Sequence, residues 1–215
     1  WFRIQGYLLK DFGIELGQTT LKKVMKLNRK LHLIPRIEKP IIEAEAKEPP
    51  PRSNEPFTYA FIDIRYLDAK PNGVQLYSCL LLEGFSRTIL AGSLTSKQDV
   101  GIILRIYYLA LLQWGLWKTI VSDNGSQFRS HAFGNANINL GINQHFCEKG
   151  RPWQNLIESQ FGIQARLGEY LWQQCANTEE AIEVHRELIR DHNRLPHFAH
   201  RKRQACASRA CPAPN

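Results

Sequence analysis

The amino-acid sequence predicts an α/β protein, a mixed five-stranded sheet flanked by helices and preceded by a small helical segment. Three observations carry that expectation. Three strand-like runs follow one another, Thr58 to Leu67, Leu76 to Leu82 and Thr88 to Leu94, rich in aromatic, β-branched and apolar residues. Helical periodicity then alternates with two short strands, Thr119 to Ser122 and Asn143 to Phe146, and ends in helices. A stretch rich in Pro, Glu and Lys separates this core from two helical patterns at the N-terminus.

Residues 1 to about 35 place Leu8, Leu9, Phe12, Ile14, Leu21, Val24, Met25 and Leu27 around a glycine-containing turn, with Gly17-Gln-Thr-Thr as its break and cap. The second helix carries Lys22, Lys23, Lys26, Arg29 and Lys30. Those bases suit the DNA-reading helix of a helix-turn-helix, or simply a solvated lysine face. From Pro35 to Pro56, and above all at Pro49-Pro50-Pro51, a helix interior is excluded and an extended linker over 36–56 is expected. The core then runs over 57–193. Residues 194–215, with Arg201, Lys202, Arg203 and Arg209 among Pro, Ala and Cys, read as a basic, disordered or truncated tail.

Within the core, Pro71-Asn72-Gly73 supplies the first hairpin turn and Glu83 to Arg87 the second. Val100, Ile103, Leu104, Tyr107, Tyr108, Leu111 and Leu112 repeat at helical spacing behind Ser96-Lys97-Gln98-Asp99, a capping signature, and Gly115 stops that helix. A long helix is expected from Gln154 to Gln174, with Leu156, Ile157, Phe161, Ile163, Leu167 and Leu171 apolar. Asn177-Thr178-Glu179-Glu180 opens a last helix to about Asn193.

Composition narrows the function. With 43% hydrophobic and 22% charged residues in 215, full disorder is excluded. Lys and Arg number 28 against 20 Asp and Glu, a formal charge of +8 that favours a polyanionic partner, nucleic acid first. The longest apolar run, Ile102 to Leu112, contains Arg105 and falls well short of the ~20 residues a membrane span needs. The first residues have no signal-peptide order, and Trp1 in place of Met suggests a piece of a longer chain. Five scattered Cys argue against a disulfide framework and fit a reducing, cytoplasmic location.

Three carboxylates resist explanation by patterning. Asp63 stands between Ile62 and Ile64, where an ionised group is costly unless it meets a cleft, a partner or a metal. The plainer alternative is an outward Asp63 paired with Arg65. Asp123 ends an apolar strand at Asn124-Gly125-Ser126, where open α/β sheets bind ligands, although Asp-Asn-Gly also simply favours a turn. Glu158 lies in the first turn of the long helix, a position the helix dipole alone would explain. Together they form a candidate site: three converging carboxylates repel one another and are tolerated chiefly around hard divalent cations, Mg²⁺ or Mn²⁺.

In this order, several segments resemble the insertion-sequence transposases of the retroviral-integrase superfamily, whose core has the ribonuclease-H-like fold. They are Tyr59-Ala-Phe-Ile-Asp-Ile-Arg-Tyr66, Gly84-Phe-Ser-Arg-Thr-Ile89, Val121-Ser-Asp-Asn-Gly-Ser-Gln-Phe128, Pro152 to Glu158 and Asn193 to His200. The 34 residues between Asp123 and Glu158 are close to the separation that names the Asp-Asp-Glu group. The resemblance implies that Asp63, Asp123 and Glu158 are the catalytic, metal-binding triad. It further implies two Mg²⁺ or Mn²⁺ ions, strand cleavage and strand transfer on double-stranded DNA (element ends and target), a homo-oligomer when active, and a nucleoid-associated location. Gln154 and Asn155 stand beside the glutamate and Asn124 and Gly125 after the second aspartate, as supporting or DNA-contacting groups. Lys22, Lys23, Lys26 and Arg166 complete the DNA-contact candidates. Where several relatives carry Lys or Arg after the glutamate, this chain has Gly162 and Ala165; the position before the Gly84 turn is Glu83 rather than Asp; and the tail after Arg203 departs from the pattern, as in a partial or remnant element.

The same residues also fit two other readings, a non-catalytic DNA-binding remnant and a ribonuclease-H-like nuclease. A zinc site from His192, His197, His200, Cys206 and Cys211 lacks the tight ligand spacing such sites use. Trp153 and Trp172 are expected in the core rather than stacked on bases.

Overall fold

The computed structural model describes residues 2–30, 51, 53–148, 151, 154–194, 196–197 and 203–204. The chain forms two compact units, residues 1–47 with 195–205, and residues 48–194 with 206–215.

In the first unit, helix α1 (Phe2–Phe12) and helix α2 (Gln18–Lys30) are joined by a short turn. The break falls at Gly13, whose φ of +65° is a left-handed conformation that glycine adopts without a Cβ penalty. Gly17 instead starts α2, its carbonyl accepting the Leu21 N–H at 3.0 Å. Leu21 is buried, while Lys22, Lys23, Lys26 and Lys30 are exposed, as an amphipathic helix requires. Two residue pairs of the tail expected to be unfolded, β6 (Pro196–His197) and β7 (Arg203–Gln204), pair antiparallel in this unit. Arg194, the first residue of that tail, ends a helix of the second unit; the rest of the tail, residues 31–50 and residue 52 lie outside the described residues.

The second unit holds the sheet. Its strands are β1 (Tyr59–Tyr66), β2 (Tyr77–Glu83), β3 (Ile89–Thr95), β4 (Thr119–Ser122) and β5 (Asn143–Phe146), in spatial order β3-β2-β1-β4-β5. β1, β2 and β3 pair antiparallel, as consecutive hairpins do, whereas β4 joins β1 and β5 joins β4 in parallel. The parallel pairings need crossovers, supplied by helices α3 (Val100–Trp114) and α4 (His131–Leu140). Asp99 caps α3, its side chain accepting the Ile102 N–H, and Ser130 caps α4 by accepting the Phe133 N–H.

β1 is central and buried on both faces. Ala60 and Ile62 pack with Ile103, Ile106 and Tyr107 of α3; Phe61 packs on the opposite face with Val121, Ile157 and Phe161. The second face is covered by α5 (Ile157–Gln173), and α6 (Thr178–Arg194) packs against α5 and β3. Trp172 is fully buried, its indole donating to the Ala181 carbonyl at 3.2 Å, a core residue as expected. Trp153 lies outside the described residues.

Glu83 locks the turn between β2 and β3. Its buried carboxylate accepts the N–H groups of Phe57, Phe85 and Ser86 and the Ser86 hydroxyl. Asn193 closes the edge strand from the far end of the chain, its side-chain amide bonding both the N–H and the carbonyl of Ile89. None of the described helices is long and apolar enough to cross a membrane.

Candidate active site

The register of two parallel strands brings the first two acids together. Phe61 of β1 stands opposite Val121 of β4, and both belong to the apolar cluster on the α5 face. Side chains alternate along a strand, so Asp63, two residues beyond Phe61, keeps that face, and Asp123 leaves the end of β4 at the same level. The third acid arrives with α5. Ile157, fully buried in the same cluster, pins the first turn of the helix and so places Glu158 at the mouth of the group.

Asp63 is 7% exposed. One carboxylate oxygen accepts the Ile64 N–H at 2.7 Å and the other the Asn155 Nδ2 at 3.3 Å. The plainer expectation, an outward Asp63 paired with Arg65, does not hold: the Arg65 guanidinium reaches Glu169 at 2.7 Å. Burial first, then the Asp123 charge, pushes the Asp63 carboxyl up to about 8, with Glu158 adding to the rise and the Ile64 N–H opposing it. Glu158 is also raised, by burial and then by Asp123. Cys147, just past β5, reports the same field, its thiol pushed up to about 11 by burial and then by Asp63, Asp123 and Glu158. All three carboxylates therefore act on one region. Among the described residues, though, no three His, Cys, Asp or Glu side chains are closed into a ready-made metal cage.

Asp123 is exposed and also does the turn work its sequence suggested, accepting the Gly125 N–H at 2.9 Å. An open cleft of about 460 Å³ runs from Asp63 and Glu158 along the end of β1, past Arg65 and Tyr66, with Gly162 and Ala165 of α5 opposite.

The other candidates separate. Asn155 is 2% exposed and bonds the Ile62 carbonyl, Asp63 and the Ile157 N–H, so it supports Asp63 and presents nothing to DNA. Gln154 is buried and accepts the Glu148 N–H at 2.9 Å. Asn124 spans two strand ends, donating to the Cys147 carbonyl at 2.6 Å while its own oxygen accepts from Arg129. Arg166 is exposed on α5 and reaches back toward Gly162. Lys22, Lys23 and Lys26 belong to the other unit.

Sequence reading missed two groups beside the site. The Arg65–Glu169 pair, with Glu169 also accepting the Ala69 N–H at 2.5 Å, ties β1 to α5 next to Asp63. Arg129 is the other; only its place six residues after Asp123, on the same turn, could have drawn attention to it.

A five-stranded mixed sheet with acids at its central strands and on a covering helix defines a ribonuclease-H-like core. Residues 53–152 match the family described as the integrase core domain, a stretch that contains Asp63 and Asp123 and ends before Glu158. Over that stretch the chain is similar to integrase cores, and its sheet has the ribonuclease-H-like arrangement. Among solved structures, the simian T-cell lymphotropic virus intasome in complex with PP2A regulatory subunit B56 gamma is similar with a TM-score of 0.66 and 18% identity, over 98% of this chain and 77% of that one. The HTLV-2 integrase catalytic core domain in complex with magnesium is similar in its trimeric form, with TM-score 0.58 and 18% identity over 72% of this chain and 97% of that one. Its dimeric form gives 0.57 at the same identity and coverage of this chain, and 96% of that one. No curated protein matches the chain in sequence.

Proposed function

We propose that this protein is a transposase-type enzyme that cleaves DNA strands and transfers them to a target through Asp63, Asp123 and Glu158, with Mg²⁺ or Mn²⁺. The observation that carries the proposal is Asp63: a carboxyl on the central strand, raised first by its burial and then by two neighbouring acids and, among the described residues, paired with no Lys or Arg. A fold that gathers negative charge without a cation of its own suits an external one. The donor set consists of hard carboxylate oxygens, which fits Mg²⁺ or Mn²⁺ better than softer metals. The similar HTLV-2 integrase core, in complex with magnesium, supports the same choice.

In this reading Asp63 and Asp123 hold the metal from the sheet and Glu158 from the helix. Asn155 keeps the Asp63 carboxylate oriented, and the Arg65–Glu169 pair fixes β1 against α5. When bound, a pair of divalent ions activates water or a DNA 3′-hydroxyl and stabilises the leaving oxygen. The chain itself orients the carboxylates, leaves the cleft open on the Gly162 and Ala165 side for the DNA backbone, and makes no covalent intermediate. The intasome and the dimeric and trimeric forms among its structural neighbours support action as a homo-oligomer on duplex DNA. Lysines 22, 23 and 26 on α2 serve as a separate DNA contact, and a nucleoid-associated, cytoplasmic site of action follows from that substrate.

Plasmid nicking in Mn²⁺ or Mg²⁺, with metal binding followed by calorimetry, tests the proposal on the wild type and on Asp63→Asn, Asp123→Asn and Glu158→Gln. Metal binding and nicking should fall together in all three variants. Metal binding equal to wild type in Asp123→Asn, without nicking in either protein, would leave a DNA-binding remnant. Metal-dependent cleavage without strand transfer would leave a simple nuclease.

A further inference from the structure

Arg129 is fixed in place without being neutralised. Its Nε and Nη2 donate to the Asn124 Oδ1 at 3.3 and 2.7 Å, and its guanidinium lies 5.4 Å from the centre of the Phe146 ring. Asn124 is itself anchored through Nδ2 to the Cys147 carbonyl. Among the described residues no carboxylate pairs with Arg129, whereas Arg65, Lys118, Arg151, Arg186 and Arg190 each have one. Two of its five N–H donors are used, both on one neutral oxygen, so three remain.

Position gives this cation a task. Gly125 donates to the Asp123 carboxylate, and the Gly125 carbonyl accepts the N–H groups of Phe128 and Arg129. Asp123 and Arg129 therefore ride on one hydrogen-bonded turn, and the distance between the acid and the base is set by that turn. Ordering an exposed arginine costs side-chain entropy, and a neutral amide and a ring return only part of it. What they achieve is an oriented, planar donor set on the turn that carries Asp123, a geometry that suits the oxygens of a phosphate.

We propose that Arg129 contacts a DNA backbone phosphate adjacent to the one held at Asp63, Asp123 and Glu158, with Asn124 and Phe146 as its positioning residues. The proposal rests on the reading that duplex DNA lies over those acids.

Fluorescence anisotropy of a fluorescein-labelled blunt duplex, titrated with the full chain between about 50 and 200 mM salt, reads the contact, because each neutralised phosphate adds about 0.9 to the slope of log affinity against log salt. Arg129→Gln should lower that slope by about one contact and weaken binding several-fold at the lowest salt, with unchanged thermal melting; Arg129→Lys should keep the slope and bind with intermediate affinity. On the wild type, saturating duplex should protect Arg129 from phenylglyoxal, read by mass spectrometry, a test that needs no variant to fold. A wild-type slope in Arg129→Gln, or equal modification of Arg129 with and without DNA, overturns the proposal. Cleavage is scored separately: if no protein nicks DNA but Arg129 is protected and the slope falls, the phosphate contact stands and the proposed chemistry does not.

Discussion

Replacing Asp63 with Asn should stabilise the metal-free protein while abolishing its chemistry. Folding carries the Asp63 carboxyl from an ordinary 3.8 up to about 8. At pH 7 the unfolded chain ionises this group and the folded chain protonates it. The gap spans about three pH units, and at about 1.4 kcal/mol per unit it costs on the order of 4 kcal/mol of stability. An asparagine escapes that cost. It can still accept the Ile64 N–H, but its amide then meets the Asn155 Nδ2, donor against donor, unless the Asn155 amide turns. Losing one hydrogen bond costs about 1 kcal/mol. A net gain on the order of 3 kcal/mol remains, or roughly 10 °C in melting temperature for a domain of this size.

The pH dependence provides the stricter check. Because the folded pKa lies above the unfolded one, the wild type suffers no handicap below about pH 4 and suffers it in full once pH rises through about 8. Urea melts of both proteins in EDTA, from pH 5 to 8, should show the stability gap widening by about 1.4 kcal/mol per pH unit. Added Mg²⁺ should then stabilise the wild type alone and narrow the gap. A gap that does not change with pH, or an Asn variant less stable than wild type at pH 8, would refute the reasoning that Asp63 is a buried carboxyl whose ionisation waits for a cation.

Asn155→Ala should keep the fold yet reduce nicking on the order of tenfold or more, with metal affinity falling in the same calorimetric titration, because residues that orient metal ligands typically matter at that level. Glu83→Ala leaves the N–H groups of Phe57, Phe85 and Ser86 without this acceptor, while the Ser86 hydroxyl keeps Thr88, and should cost on the order of 3 kcal/mol or more in urea melts. His185, buried against the Ser78 hydroxyl at 2.9 Å, is pushed down to about 4 by burial and then by Arg186. Its folded pKa is the lower one, so stability holds above about pH 6.5 and falls toward pH 4; a His185→Gln variant should lack that decline when the two proteins are melted side by side.

Local pattern fixes most of the sheet and little of the support around the site. β1, β2, β3, α3 and α6 lie within a residue or two of the runs that announce them, because apolar periodicity and caps are local properties. α4 has no such pattern: His131-Ala-Phe-Gly-Asn-Ala-Asn-Ile-Asn-Leu140 is poor in strong helix formers, and the Ser130 cap and the burial of Phe133 hold it. Asp63 could be singled out because a carboxylate between two isoleucines violates the local rule, and such violations collect at functional sites. Glu169, 104 residues beyond Arg65, and Asn155, 92 beyond Asp63, act through contacts that no sequence period encodes.

The long intervals between the three acids have a topological cause. β1 and β4 can lie side by side in parallel only after the chain has made β2, β3 and the α3 crossover, which separates Asp63 from Asp123. It must then make α4 and β5 before α5 can cross the face that carries both aspartates, which separates Asp123 from Glu158. Those intervals are set by connections, and connections tolerate insertion. Register does not. A one-residue slip of β1 would turn Asp63 to the face occupied by α3 and bring Ile62 toward Asp123. The burial of Ala60 and Ile62 on one face and Phe61 on the other opposes that slip, so the apolar core of the sheet is what keeps the candidate acids together.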